Sequence, residues 1–279
     1  MDVLKAIVLG AVQGLTEFLP VSSSGHLAIA REILKAPEAL VTFDVLVHLG
    51  TLVAVVVAFR KDVGSLVAAA TGIVEDVVRR TSLVPTLSRN EHRRLVLLIV
   101  LASVPTAIMG AALEPAVRGL FASRLAVGIF LVATGTVLWL AERASEGRVR
   151  LRELGAVSAF CIGVAQGLAI APGFSRSGVT ISAGRFFGLR RDDAARFSFL
   201  LSIPVILGAG VFELPDLIRM GISRGFAAPF IAGALASVVS GYVAIHLVFS
   251  AIRKRRFKVF AVYTWLVGLA VIIWTAVGS

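Results

Sequence analysis

The sequence predicts an all-α integral membrane protein of about six transmembrane helices plus two re-entrant helical hairpins, arranged as an inverted-topology repeat. Three observations carry that prediction. Apolar stretches near the length of a bilayer core recur from end to end, two apolar regions are broken midway by small polar residues and a proline, and the two breaks share a pattern. Of the 279 residues 57% are hydrophobic and only 16% charged, with a mean hydropathy of +0.91, which excludes an ordinary soluble domain. The formal net charge of +11 comes from short basic clusters between apolar stretches. No face interleaves basic with aromatic residues, so nucleic acid is set aside as a partner. Cys161, the single cysteine, lies in an apolar segment with no partner for a disulfide or a metal site.

Six stretches can span a bilayer core of about 30 Å: roughly 40–59, 95–114, 124–141, 194–213, 226–250 and 259–276. Regions 3–34 and 154–188 are each interrupted, so each reads as two half-helices joined by a loop that returns to its starting side. The first carries Asp2 and Lys5, then Gln13 and Glu17, without the basic start and compact apolar core of a cleavable signal, and is expected to be retained. Arg and Lys cluster at 60–61 and 79–94, at 148–152, at 190–196 and in Arg253, Lys254, Arg255 and Arg256. Basic loops stay in the cytoplasm, which predicts a multi-pass plasma-membrane protein with both termini outside. Arg185, Arg190, Arg191 and Arg196 read as membrane-surface anchors. The partly amphipathic stretch 62–80 reads as an interfacial helix, with a short seventh membrane segment as the competing reading.

The repeat is explicit in the residues. Gln13-Gly14-Leu15 returns as Gln166-Gly167-Leu168, and Ser22, Ser24 and Gly25 return as Ser175, Ser177 and Gly178, all at an offset of 153. Phe43 and Leu46 find counterparts in Phe197 and Leu200, the offset drifting by one. The chain is thus expected to form a single membrane domain, 1–279, with one repeat over about 1–145 and the other over about 150–279. One hairpin and three spans per unit is an odd number of crossings, so the second copy enters upside down and the site falls where the broken helices meet.

The first break runs from Gln13 through Glu17, Pro20, Ser22, Ser23, Ser24 and Gly25 to His26. An ionisable group at mid-membrane costs about 2.5–3.5 kcal/mol, so Glu17 and His26 need partners, water or a ligand to remain there. Gln13 and Glu17, four apart, share a helical face and suit a divalent cation or a water, with helix-to-helix hydrogen bonding as the plainer use of Gln13. The second break, Pro172-Gly173-Phe174-Ser175-Arg176-Ser177-Gly178-Val179-Thr180, sets one arginine in a hydroxyl-rich turn before an apolar half-helix. That is an anion cradle: guanidinium, hydroxyls and free N–H groups all donate to phosphate oxygens. The plainer use of Arg176 is a structural pair with Glu17. Asp44 and His48, four apart on the next span, are candidates to line the same cavity, a structural pair being the alternative.

With these segments the chain resembles the bacitracin-resistance family of undecaprenyl pyrophosphate phosphatases, whose signature combines (E/Q)xxxE with PGxSRSG. The resemblance extends through Phe43-Asp44-Val45-Leu46-Val47-His48-Leu49-Gly50 and Phe197-Ser198-Phe199-Leu200-Leu201 and covers nearly the whole chain. It implies a hydrolase that removes the terminal phosphate of a polyprenyl pyrophosphate lipid, regenerating the carrier of cell-wall synthesis and conferring bacitracin resistance. Arg176 is then expected to neutralise the pyrophosphate, with Ser22, Ser24, Ser175, Ser177 and Thr180 as further binding residues. The resemblance suggests a divalent cation, Mg²⁺ or Ca²⁺, near Glu17 and Gln13, although Gln13 stands where some members carry a second carboxylate. Two schemes stay open for the attack: Ser23 or a neighbouring serine with His26 as general base and later acid, or water activated by Glu17 and His26. The head group is expected to arrive from the outer face, with a homodimer as an open partner. The rival class is a transporter or flippase of a lipid phosphate, since inverted repeats are common in transporters. The type 2 phosphatidic acid phosphatases share the serine-rich turns but need a His and Asp pair absent after Arg176.

Overall fold

The structure, a computed structural model, describes residues 2–36, 41–79, 90–121, 123–220 and 227–277. Outside the helices these residues form one isolated β-bridge, Val149 to Leu189. The helices in order are α1 (Val3–Phe18), α2 (Ser23–Ile33), α3 (Val41–Ala58), α4 (Arg60–Val78), α5 (Glu91–Phe121), α6 (Arg124–Arg143), α7 (Ala156–Leu168), α8 (Arg176–Phe186), α9 (Arg191–Met220), α10 (Ala227–Arg253) and α11 (Lys258–Val277). Five of them, α5, α6, α9, α10 and α11, are long and apolar enough to cross a bilayer alone. The bent pair α3 and α4 brings the number to as many as six. Val100, Val104, Ile108, Leu235, Val239 and Ile273 are exposed on these spans, as lipid-facing side chains must be. The chain is an all-α, multi-pass membrane protein.

Both interrupted regions are pairs of half-helices, as the hydropathy pattern requires. Asp2 caps α1, accepting from Lys5 N at 2.8 Å. The helix ends ahead of Pro20, which cannot donate to continue the ladder. Ser22 turns the chain with φ 73° and caps α2 by accepting from Gly25 N. In the second pair the turn falls instead at Gly173, φ 91°. A Cβ there would stand 2.4 Å from Val127 O, so only glycine fits. Ser175 caps α8 from Gly178 N just as Ser22 caps α2. A bend of 92° separates α3 from α4.

Counterpart helices run in opposite directions. Leu49 of α3 packs near Gly210 of α9, and Phe59, just past the other end of α3, lies 6.0 Å from Phe199. Likewise Gly128 of α6 meets Gly268 and Ile272 of α11, whereas Gly135 meets Thr264 and Trp265. An antiparallel match between equivalent helices is the inverted topology that an odd number of crossings imposes. The half-helices are buried through close small-residue contacts of the kind that hold membrane helices together. A Cβ on Gly10 of α1 would stand 2.0 Å from Gly233 O on α10, and one on Gly163 of α7 would stand 2.0 Å from Ala102 O on α5. These two glycines are equivalent in the repeat.

The basic end is knitted by ion pairs. Arg196 reaches Asp62, Arg94 caps the carbonyls of Arg152 and Leu154, and Arg191 holds Glu142 at 2.9 Å. Arg185 departs from the surface role expected of it. It is 3% exposed because its guanidinium turns onto the end of α6, donating to Ala144 O and lying 3.5 Å from Glu142, while Phe186 and Phe187 beside it are exposed. Replacing Gly10 or Gly163 by leucine is expected to force the helix pair apart at a cost of about 1–3 kcal/mol. Thermal unfolding in detergent should show a lowered midpoint for either variant; an unchanged midpoint for both would contradict this packing.

Candidate active site

The two hairpin tips meet. Ser23 and Arg176 occupy equivalent positions, each the first residue of a half-helix, and together they grip one carboxylate. Ser23 Oγ donates to Glu17 Oε2 at 2.6 Å, and an Arg176 guanidinium N–H donates to Glu17 Oε1 at 2.5 Å. Gln13 Nε2 adds a bond of 2.9 Å to Oε2 from one turn earlier on α1. Glu17 is 8% exposed, and a carboxylate at that depth is tolerable because opposite charge and donors surround it. Phe18 follows on the buried side, packed 5.5 Å edge-on against Phe199. The equivalent of Glu17 in the second hairpin is Ile170, so the carboxylate has no twin.

A cavity of about 270 Å³ opens beside this cluster, lined by Glu17, Ser23, Ser24, His48, Thr106, Gln166, Arg176 and Glu213 among its polar residues. Its apolar wall is built from Val205, Ile206, Ala209 and Gly210 of α9 with Ile170 and Phe174. The first N–H groups of α2 and α8 have no intrahelical acceptors, and the positive ends of both helix dipoles converge here. Cation, hydroxyls and N–H groups around an apolar-walled cavity make a receptor for a phosphate head group on a lipid.

The expected hydroxyls divide into two groups. Ser23 and Ser24 face the cavity; Ser24 Oγ also accepts from Gly173 N at 3.4 Å, linking the two hairpins. Ser22, Ser175, Ser177 and Thr180 are not among its lining residues. Ser22 and Ser175 cap their helices, Ser177 Oγ donates to Leu19 O at 3.2 Å, and Thr180 Oγ1 bonds to Arg176 O at 2.9 Å and Ser198 Oγ at 2.5 Å. They shape the turns that present Arg176. Thr134 of α6 braces the second turn, donating to Gly173 O at 3.1 Å and accepting from Ser175 N at 3.0 Å.

The histidines also part company. His26 Nδ1 lies 2.8 Å from Ser22 O, which can only accept, so that nitrogen carries the proton and Nε2 accepts from the Tyr263 hydroxyl at 2.9 Å. The ring stacks on Tyr263 at 5.6 Å and does not line the cavity. His48 does, its Nε2 3.9 Å from Glu17 Oε2. Asp44, expected beside it, instead pairs with Arg31 of α2, and only its carbonyl meets His48, at Nδ1.

A resident cation fits these residues poorly. Both Glu17 oxygens are engaged, and no cluster of three or more His, Cys, Asp or Glu side chains suited to a metal occurs among the described residues. Gln13 Oε1 and Gln166 Oε1 are buried without a donor among the described residues.

Glu213, Thr106 and Gln166 line the cavity without having been assigned a role from the sequence. Gln166 had a signal, as the repeat partner of Gln13; Thr106 had none, since only the folded bundle brings α5 against α7.

Comparison with known proteins shows the kinship of the chain. The family model described as bacitracin resistance protein BacA matches residues 6–270. Among similar curated proteins, the undecaprenyl-diphosphatase of Methanosphaera stadtmanae is 41% identical over 99% of both chains. That of Carboxydothermus hydrogenoformans is 40% identical over 100% of both, and that of Desulfosudis oleivorans 44% identical over 98% of both. A match of this extent settles kinship: the chain belongs to the bacitracin resistance protein BacA family.

Proposed function

We propose that this protein hydrolyses undecaprenyl pyrophosphate to the monophosphate carrier and inorganic phosphate, recycling the lipid for cell-wall synthesis and so conferring resistance to bacitracin. The observation that carries the chemistry is the 2.6 Å bond from Ser23 Oγ to Glu17 Oε2 beside Arg176. A hydroxyl already donating to a carboxylate is an activated nucleophile. Ser23 Oγ attacks the terminal phosphorus as Glu17 takes its proton, the bond to the bridging oxygen breaks, and the lipid monophosphate departs. Water then cleaves the phosphoserine. Arg176 and the converging N–H groups stabilise the charge on the transferring phosphoryl group, which is the main task in this class of reaction. Glu17 serves as the base in place of His26, whose ring nitrogens are both engaged elsewhere.

A carrier of lipid phosphates would need the cradle but not the nucleophile and base, which is why hydrolysis is preferred to transport. The lining residues of α9, Val205 to Glu213, lie more than ten positions past its arginine-rich start at Arg191, which supports a plasma-membrane enzyme that meets the head group from the outer face. A divalent cation suits this site as a companion of the pyrophosphate oxygens rather than as a resident of the protein.

Detergent-purified protein given farnesyl or undecaprenyl pyrophosphate is expected to release phosphate, with Ser23→Ala and Glu17→Gln each lowering kcat roughly 10²–10⁴-fold. No release by the unaltered protein, or full activity in both variants, would overturn the assignment. EDTA is expected to stop turnover while leaving the unfolding midpoint of the substrate-free protein in place, because an ion bound only to the native state would raise that midpoint. A midpoint that falls on chelation would instead reveal a resident ion.

A further inference from the structure

Gln166 is 2% exposed on α7 and lines the same cavity as Ser23, Glu17 and Arg176. Its Nε2 lies 2.9 Å from Thr106 Oγ1. The threonine oxygen in turn lies 2.9 Å from Gly163 O and 3.2 Å from Ala102 O. Both are carbonyls and can only accept, so the one proton of the Thr106 hydroxyl is committed to them. Towards Gln166 it has only a lone pair to offer. Hydrogen-bond chemistry therefore fixes which end of the amide is which: NH₂ towards Thr106, Oε1 away from it. That oxygen is buried and has no donor among the described residues. Gln13, its partner in the repeat, uses its NH₂ on Glu17 and does not line the cavity, so the same residue has taken a different place in each hairpin.

A fixed, unpaired acceptor is an odd neighbour for a phosphate site. Pyrophosphate oxygens accept, the lipid chain is inert, and the Ser23 proton and one Arg176 N–H already go to Glu17. The component of the reaction that donates is water. We propose that Gln166, oriented by Thr106, is a positioning residue for the water that hydrolyses the phosphoserine. One hydrogen of that water is donated to Oε1, leaving a lone pair free for phosphorus. As the new P–O bond forms, the bond from phosphorus to Ser23 Oγ breaks. One water proton passes through Glu17 to restore the serine hydroxyl, and the other stays on the departing hydrogen phosphate. This rests on the covalent route through Ser23 proposed above.

The two halves of the reaction separate the claim from that route. Full-length protein in detergent would be mixed in single turnover with undecaprenyl pyrophosphate radiolabelled in its terminal phosphate, following lipid monophosphate, free phosphate and label on Ser23. Gln166→Met and Thr106→Val are expected to keep the burst of lipid monophosphate within about threefold of the parent while phosphate release falls roughly 10²-fold, the effect of a misplaced reactant. Label then accumulates on the protein, and Thr106→Ser, which keeps the hydroxyl, restores release. The inference is overturned if both halves slow together, if neither slows, or if Gln166→Met shifts the divalent-ion dependence, which would make the oxygen a metal ligand. If Ser23 carries no label in any variant, the covalent route itself falls and takes this role with it. Unfolding midpoints matching the parent's exclude misfolding as the cause of slowed release.

Discussion

The pairing of Glu17 with Arg176 organises this molecule. It joins residues 159 positions apart at 2.5 Å, each at a break in a helix that would otherwise have no reason to stop inside a bilayer. Neither charge is tolerable alone at that depth, and removing one partner of a buried pair costs far more than the pair contributes. The hairpins therefore hold one another: the acid in one needs the base in the other. Until phosphate arrives, the carboxylate stands as the anion in the cradle made by the guanidinium and the two helix ends. In the mechanism proposed above, binding loosens the hold of Arg176 on Glu17 and frees the carboxylate to take the serine proton when the substrate is present.

Much of this was legible in the sequence because membrane proteins are simple where they meet lipid. Hydropathy marked the spans and the two interruptions, the cost of charge in hydrocarbon pointed to Glu17 and His26, and the hydroxyl-rich turn of the second break pointed to Arg176 before any contact was known. The offset that equates Ser23 with Arg176 also foretold that the tips would meet. What sequence could not supply was rotation about the helix axes and contacts between distant segments. Ser22 and Ser23 are neighbours, yet the first is consumed as a cap and the second faces the cavity, a difference of one step around a helix start. His26 drew attention by standing next to the serines, but its side of α2 turns towards Tyr263, and His48 from the next helix comes to the carboxylate instead. Arg185 looked like a surface anchor because basic residues surround it in the chain; Glu142, more than forty residues earlier, draws it into the bundle.

The two hairpins show how a duplicated element divides labour without altering its frame. The caps at Ser22 and Ser175 are the same, and the small-residue seats of Gly10 and Gly163 are the same. Two of the differences fall on the cavity, Glu17 against Ile170 and Ser23 against Arg176, while Gln13 and Gln166 keep the amide and use it differently. Even the tight turn has moved, from Ser22 in one copy to Gly173 in the other. Packing constrains the scaffold positions, where an added methyl group collides with a backbone, and leaves the cavity-facing ones free to diverge.

The apolar wall that α9 gives the cavity has a kinetic corollary. A substrate held there by its tail never leaves the bilayer, and neither does the shortened lipid it becomes, so only phosphate crosses into water. Encounter is then governed by the number of lipids per unit of membrane area, not by their concentration in bulk solution. Diluting the membrane with inert lipid or detergent at constant total substrate should slow the enzyme just as diluting an ordinary substrate would, while adding buffer should change nothing.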